Sequence, residues 1–309
     1  MLKNKDLLGL KDCSAEEIYE ILDTATEMKQ LLLSEKKQSD LLAGKSLVTL
    51  FYENSTRTRS SFELAAKYLG ASEVNISVAT SSVQKGETLI DTGETLDAMK
   101  IDFIVIRHPM AGAPKLLAQH VKASVLNGGD GMHEHPTQAL LDFYTMREKL
   151  GRLKGLKVAI LGDIKHSRVA MSNLIGLRKL GAEVYMYAPA TMIPKEIDKL
   201  GAHIAKSREE AVEGADAVMG LRIQLERQHG GLFPSLSEYS RYYGVNDAVL
   251  KYAKKDAIIL HPGPVNRGVE LTPQLIDGDK SFILEQVTNG VAVRMALLKL
   301  LAEYREKNL

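Results

Sequence analysis

A two-domain α/β protein, each domain a parallel sheet flanked by helices, is the fold class this sequence predicts, and three observations carry that expectation. Short Val- and Ile-rich runs alternate with helical segments from Lys45 onward, a second set of such runs follows a helix-like stretch near Pro136, and 309 residues suit two domains of ordinary size better than one. In chain order, Ser14-Ala15-Glu16-Glu17 has capping-box spacing, and Ile18, Ile21, Leu22 and Ala25 recur at helical intervals behind it, so a long helix opens the chain. Strands are expected at 46–52, 73–78, 102–107 and 123–126. A helix from Pro136 to about Glu148 separates these from a second set at 157–161, 183–187, 217–220 and 257–260. From Phe282 to about Lys307, Val287, Val291, Met295, Leu298 and Ala302 again keep helical spacing, and by pattern alone this segment can return to either domain.

Forty basic residues against thirty-nine acidic ones give a formal charge of +1, so no global field recruits nucleic acid or an anionic membrane. The only cysteine, Cys13, excludes an intrachain disulfide and suits a reducing compartment. Met1-Leu2-Lys3-Asn4-Lys5-Asp6 leads into no apolar signal region, and no segment approaches the roughly 20 apolar residues that span a bilayer. The expectation is a soluble, cytoplasmic protein with neither a nucleic-acid nor a membrane partner.

The most informative stretch is Ser55-Thr56-Arg57-Thr58-Arg59, which follows the first predicted strand. Hydroxyls and guanidinium groups at a helix start converge with unpaired backbone N–H groups on one point, which makes an anion cradle suited to phosphate. Two nucleotide loops do not fit. Gly44-Lys45-Ser46 ends like a Walker A loop, yet position 39 is Ser39 where a glycine is required, and the Gly162 turn lacks the spaced glycines of a dinucleotide fingerprint.

Other strand exits add polar groups. Ser81 to Thr88 contains Lys85 beside Gly86 at a helix start, a surface charge when taken alone and a second clamp when read with the cradle. Arg107-His108-Pro109 ends the third strand, with the arginine either a salt-bridge anchor or a ligand donor. Asn127-Gly128-Gly129-Asp130-Gly131 reads as a glycine-rich turn leading to His133-Glu134-His135-Pro136-Thr137-Gln138, with proline at the first helical position. Two histidines invite zinc, but one cysteine and no HExxH leave too few ligands of the right pattern, and a neutral imidazole donor fits better. In the second half, Arg168 follows the Asp163 loop and Arg222 with Gln224 follows Gly220. Each arginine alone reads as a surface ion pair; two on equivalent strand exits, facing a phosphate-binding half, would form a fork for a substrate carrying carboxylates. The loop His261-Pro262-Gly263-Pro264-Val265-Asn266-Arg267-Gly268 is stiffened by its prolines, either as a structural turn or to offer backbone carbonyls as acceptors.

Ser-Thr-Arg-Thr-Arg, Lys-Gly-Glu-Thr, Arg-His-Pro, His-Pro-Thr-Gln and His-Pro-Gly-Pro-Val-Asn-Arg-Gly occur here in that order, and across nearly the whole chain the set resembles the aspartate carbamoyltransferase family. The resemblance implies a carbamoyl-phosphate-binding domain of residues 1–134 plus 288–309, an aspartate-binding domain of 135–287 with a linking helix at about 135–150, and a C-terminal helix packing back on the first domain. It places phosphate on Ser55, Thr56, Arg57 and Thr58, with Arg107 and His135 toward the carbonyl oxygen and Gln138 toward the carbamoyl amide. Ser81 and Lys85 match a loop that reaches a neighbouring subunit's site, which implies a homotrimer. Arg168, Arg222 and Gln224 match the aspartate side, and Gly263 and Pro264 the carbonyls that meet the amine and the amide. Arg57, Thr58, Lys85, Arg107 and His135 are the implied catalytic groups. Neither cofactor nor metal is implied, and association with dihydroorotase or a regulatory chain is open. Arg59 lies off the phosphate-binding face, and its spacing to Glu63 predicts an intrahelical ion pair. An ornithine carbamoyltransferase normally shows His-Cys-Leu-Pro where His261-Pro262-Gly263-Pro264 stands, which favours a dicarboxylate acceptor. A non-catalytic phosphometabolite binder would need only the cradle.

Overall fold

The computed structural model describes residues 2–77, 86–223 and 235–308. Contacts divide the chain into two compact units, Met1–Leu141 with Val287–Leu309, and Asp142–Gln286. The first is built on four parallel strands, β1 (Ser46–Phe51), β2 (Ser72–Ser77), β3 (Phe103–His108) and β4 (Ser124–Asp130), in the order β2-β1-β3-β4. Val48, Leu50, Ile104, Ile106 and Val125 make one apolar face, which α3 (Leu89–Ala98) and α4 (Ala113–Ala118) cover with Leu96 and Leu117. Helix α1 (Ala15–Leu33) begins in the expected capping box, with the Ser14 hydroxyl accepting from Glu17 N–H and the Glu17 carboxylate accepting from Ser14 N–H.

Two helices straddle the division, α5 (Pro136–Leu150) and α11 (Ile283–Asn308). Most of α11 belongs to the first unit, where Lys299 meets Glu27 of α1 at 3.2 Å and the Arg294 guanidinium lies 5.0 Å from the Phe62 ring of α2 (Thr56–Tyr68). The two destinations that periodicity leaves open are thus resolved by packing.

Asn127 to Asp130 corrects the expected glycine-rich turn: these residues continue β4 and are buried throughout. A side chain at Gly128 would press on the Ile106 carbonyl at 3.2 Å and on Phe51, so glycine here serves close strand packing rather than reversal, beside a register shift against β3. An N-terminal segment lies along this strand. Leu7 N–H donates to Val125 O and Leu7 O accepts from Asn127 N–H, both at 2.9 Å.

The second unit has five parallel strands in the order β7-β6-β5-β8-β9: β5 (Lys157–Leu161), β6 (Glu183–Tyr187), β7 (Ala202–Ile204), β8 (Ala217–Gly220) and β9 (Ile258–Leu260). Its helices are α6 (Arg168–Lys179), α7 (Arg208–Val212), α8 (Leu236–Tyr243), α9 (Asp247–Leu250) and α10 (Pro273–Ile276). One face of the sheet packs Ala159, Leu161, Val218 and Ile259 against Val212, Val249 and Leu275. Strand β7 is absent from the sequence reading, because three residues at a sheet edge, two of them exposed, carry no periodicity.

Asp216, at the entry to β8, joins this sheet to its surroundings. Its carboxylate accepts from Lys254 Nζ at 2.7 Å, Lys157 N at 2.9 Å and Arg152 at 3.0 Å. Burial pushes its pKa up, but those donors together outweigh burial and hold it below the ordinary value. A depressed carboxylate stabilises the fold fully above the unfolded value of about 3.9, and that contribution disappears as pH falls from there through the folded value. Asp216→Asn is therefore expected to cost about 1–3 kcal/mol at neutral pH. Urea midpoints for parent and variant should converge below about pH 3.9, and a gap independent of pH would refute the assignment.

Candidate active site

Among the described residues, the expected positions in the first unit sit at or just beyond the carboxyl ends of strands, where a parallel sheet presents its loops. After β1 the chain enters α2 at Ser55, whose extended φ of −159° sets the turn and whose hydroxyl makes no capping bond. The first turn of α2 contains no acid and exposes Arg57 and Thr56, whereas α1 and α3 begin with acidic residues that suit the helix dipole. Cationic residues at a helix N-terminus break a local rule, and a bound anion would restore balance. Thr58 turns inward and is buried. Arg59 takes the separate course expected of it, 3.7 Å from Glu63 one turn on.

Thr58 Oγ1 and His135 Nε2 lie 3.4 Å apart, so β1 and β4, which are not neighbours in the sheet, deliver two of the expected residues to one place. Two buried acids brace the segment that leads into His135. The Asp130 carboxylate, 1% exposed, accepts from Gly112 N at 2.7 Å, Asn127 Nδ2 at 2.8 Å and Glu134 N at 3.1 Å, and lies 3.1 Å from His133 Nδ1. Glu134, equally buried, accepts from Leu10 N at 2.8 Å, and a side chain at Gly9 would strike it. The two histidines that suggested zinc thus meet different partners.

Helix α5 then starts at Pro136 with Gln138 in its first turn, and Arg294 of α11 reaches Thr137 Oγ1 at 3.3 Å while lying over Phe62. Arg294 therefore links the middle of α2 to the start of α5. Arg107 stands at the end of β3 with its Nε donating to Glu53 at 3.2 Å. Beside it, His108 accepts from Met110 N–H on Nδ1 at 3.0 Å, and burial draws its pKa below the ordinary value, so its ring is held neutral. Sequence reasoning passed over Glu53, Asp130, Glu134 and Arg294 as functional residues. Acids set beside a run of glycines were the faint signal for Asp130 and Glu134, and their burial could not be read from it; nothing marked Arg294 within an apolar helix.

In the second unit, Gly162 ends β5 with φ +132°, and a side chain there would lie 2.5 Å from the Leu221 carbonyl. The Asp163 carboxylate meets His166 Nδ1 at 2.7 Å, Ser167 caps α6, and Arg168 opens that helix, buried. Arg222 follows β8 by two residues, with the preceding Leu221 N–H donating to Leu161 O at 2.7 Å. Beyond β9, His261 N–H donates to Gln286 Oε1 at 2.9 Å, and Gly263 N–H donates back to His261 Nδ1 at 2.9 Å. Gln286 also donates to Asp142 at 2.7 Å, which accepts from Asn173 of α6 at 2.8 Å, so a buried polar chain ties the helix headed by Arg168 to the Gly263-Pro264 loop. Ser81, Lys85 and Gln224 lie outside the described residues.

Taken together, the first unit offers hydroxyl, imidazole and guanidinium donors around a helix start, and the second offers two arginines at strand exits. That is a division of labour expected of a transferase with two anionic substrates. Residues 5–148 match the aspartate/ornithine carbamoyltransferase carbamoyl-P binding domain, and residues 154–301 match the Asp/Orn binding domain of the same family. The chain belongs to the aspartate/ornithine carbamoyltransferase family. It is 67% identical over 300 residues to the aspartate carbamoyltransferase catalytic subunit of Ruminiclostridium cellulolyticum, covering 97% of this chain and 96% of that protein. Among solved structures it is similar to Trypanosoma cruzi aspartate transcarbamoylase in complex with carbamoyl phosphate and aspartate, with a TM-score of 0.86, 33% identity and coverage of 96% and 97% of the two chains. It is also similar to Pyrococcus furiosus ornithine carbamoyltransferase, with a TM-score of 0.85, 32% identity and 95% coverage of each chain.

Proposed function

We propose that this chain transfers the carbamoyl group of carbamoyl phosphate to the amine of L-aspartate, giving N-carbamoyl-L-aspartate and phosphate, the aspartate carbamoyltransferase reaction of pyrimidine biosynthesis. The observation that carries this reading is 67% identity over 97% of the chain to an aspartate carbamoyltransferase catalytic subunit. The fold alone does not choose the acceptor, since an ornithine enzyme shares it. Proline at 262 instead of the cysteine of ornithine enzymes supports the dicarboxylate.

Ser55, Thr56, Arg57 and Thr58 bind the phosphate, while Thr58, Arg107 and His135 direct donors at the carbonyl oxygen. As the amine adds to the carbamoyl carbon, that oxygen gains negative charge, and preorganised donors stabilise it without having to reorganise. Collapse of the adduct breaks the bond from carbon to the bridging phosphate oxygen, and Arg57 neutralises the charge arriving on phosphate. The leaving phosphate takes the amine proton. Gln138 holds the carbamoyl amide, with the Gly263 and Pro264 carbonyls on the amine and amide, and Arg168, Arg222 and Gln224 hold aspartate. No enzyme nucleophile enters, so positioning and electrostatics supply the acceleration.

Purified protein given carbamoyl phosphate with aspartate, with ornithine, or with buffer alone should release phosphate rapidly with aspartate only. Turnover with ornithine, or none with either, would overturn the assignment. Active sites shared within a cytoplasmic homotrimer, Lys85 and Ser81 being contributed by a neighbour, complete the reading. Mixing inactive Lys85→Ala and Arg57→Ala proteins under subunit exchange should then restore activity, and no recovery with exchange confirmed by mass would remove Lys85 from a shared site.

A further inference from the structure

Glu270 lies in the second unit, outside every motif that identifies the family site. Its carboxylate is 3% exposed and is fully occupied by donors from two loops. One oxygen accepts from Ile223 N–H at 3.0 Å and from Asn266 Nδ2 at 2.7 Å; the other accepts from Asn266 N–H at 2.9 Å. Ile223 follows Arg222 directly, and Asn266 stands two residues past Pro264. We infer that Glu270 is a positioning residue for the acceptor, joining the strand exit that carries Arg222 to the loop that carries Gly263 and Pro264. The inference rests on the assignment of Arg222 to a substrate carboxylate.

Ile223 N–H and the Arg222 carbonyl belong to one rigid amide, so a bond to that N–H fixes the orientation of the unit leaving the Arg222 Cα. The Asn266 peptide is fixed in the same way from the other oxygen. Because both bonds end on one carboxylate, the two loops cannot shift independently. They are also in close packing: a side chain at Gly220, two residues before Arg222, would meet Leu271 Cγ at 3.0 Å and the His261 ring at 3.2 Å. The backbone of Glu270 is anchored by Val245 N–H at 2.9 Å, so the clamp does not drift with its own loop. Burial pushes the Glu270 pKa up against the N–H donors that favour the anion. A buried carboxylate that meets N–H donors on both oxygens is costly to retain where a neutral amide would fit, and here the amide does not fit. In either orientation, glutamine would turn its NH2 toward at least one N–H donor.

Glu270→Gln should therefore raise the aspartate KM about tenfold or more, the equivalent of one mis-set hydrogen bond to a charged group. The carbamoyl phosphate dissociation constant, set mainly by the phosphate cradle of the first unit and only secondarily by the Gly263 and Pro264 carbonyls, should change by a smaller factor than the aspartate KM, and so should kcat. Asn266→Ala, which removes only the side-chain donor, should move the same constant in the same direction by a smaller factor and decides the matter if Glu270→Gln does not fold. An aspartate KM that stays at the parent value in the folded variants would overturn the proposal. Arg222→Ala measured alongside separates the two levels. If it raises the aspartate KM and the others do not, only the Glu270 clamp fails; if it too leaves the KM unchanged, the acceptor assignment itself fails.

Discussion

Arg57→Ala is expected to lower kcat by about a thousandfold, the scale seen when a preorganised donor to developing charge is removed, while leaving the protein folded. Arg57 is exposed in the first turn of α2 and contributes nothing to the apolar core. Carbamoyl phosphate already carries charge in the ground state, and binding should weaken, but by much less than kcat falls, because charge grows on the bridging oxygen only as the bond to carbon breaks. Steady-state kinetics with carbamoyl phosphate binding measured separately would check this. A loss confined to KM would make Arg57 a binding group without a role in the transition state.

Arg222→Ala is expected to raise the aspartate KM by about a hundredfold, since a fork of two charge-assisted hydrogen bonds, each worth roughly 1.5 kcal/mol or more, would be lost. Carbamoyl phosphate affinity should be unchanged. The donor residues lie on the strand exits of one sheet and Arg222 on those of another. Equal losses toward both substrates would argue that the arginine supports the fold rather than the acceptor. Lysine at this position should recover only part of the effect, as a point charge cannot reproduce a planar bidentate fork.

How much of this was legible follows the physics of each signal. The cradle could be read because cations, which a helix start disfavours, stand among hydroxyls where acids would be expected. Most strands could be read because buried parallel strands are continuous apolar runs. Asn127 to Asp130 could not, since composition alone marks glycines as a turn, and only the proximity of the Ile106 carbonyl and Phe51 explains them as strand. Asp130, Glu134 and Glu270 escaped notice for a common reason. A buried acid looks like any surface acid until the N–H groups that meet it are known, and those come from segments far away in sequence, as Leu10 does for Glu134.

The path of α11 bears on how the molecule is made. Because the first unit needs Val287–Leu309 to complete its packing, its opening residues leave the ribosome long before the helix that shields α1 and α2 exists. Synthesis of the intervening unit takes roughly ten to thirty seconds at ordinary translation rates, during which the earlier sheet stays unsealed while the later one can finish. The domain begun first is thus the last to close, and a ribosome that stalls within the final helix would leave that domain, and not the other, open to chaperones and proteases.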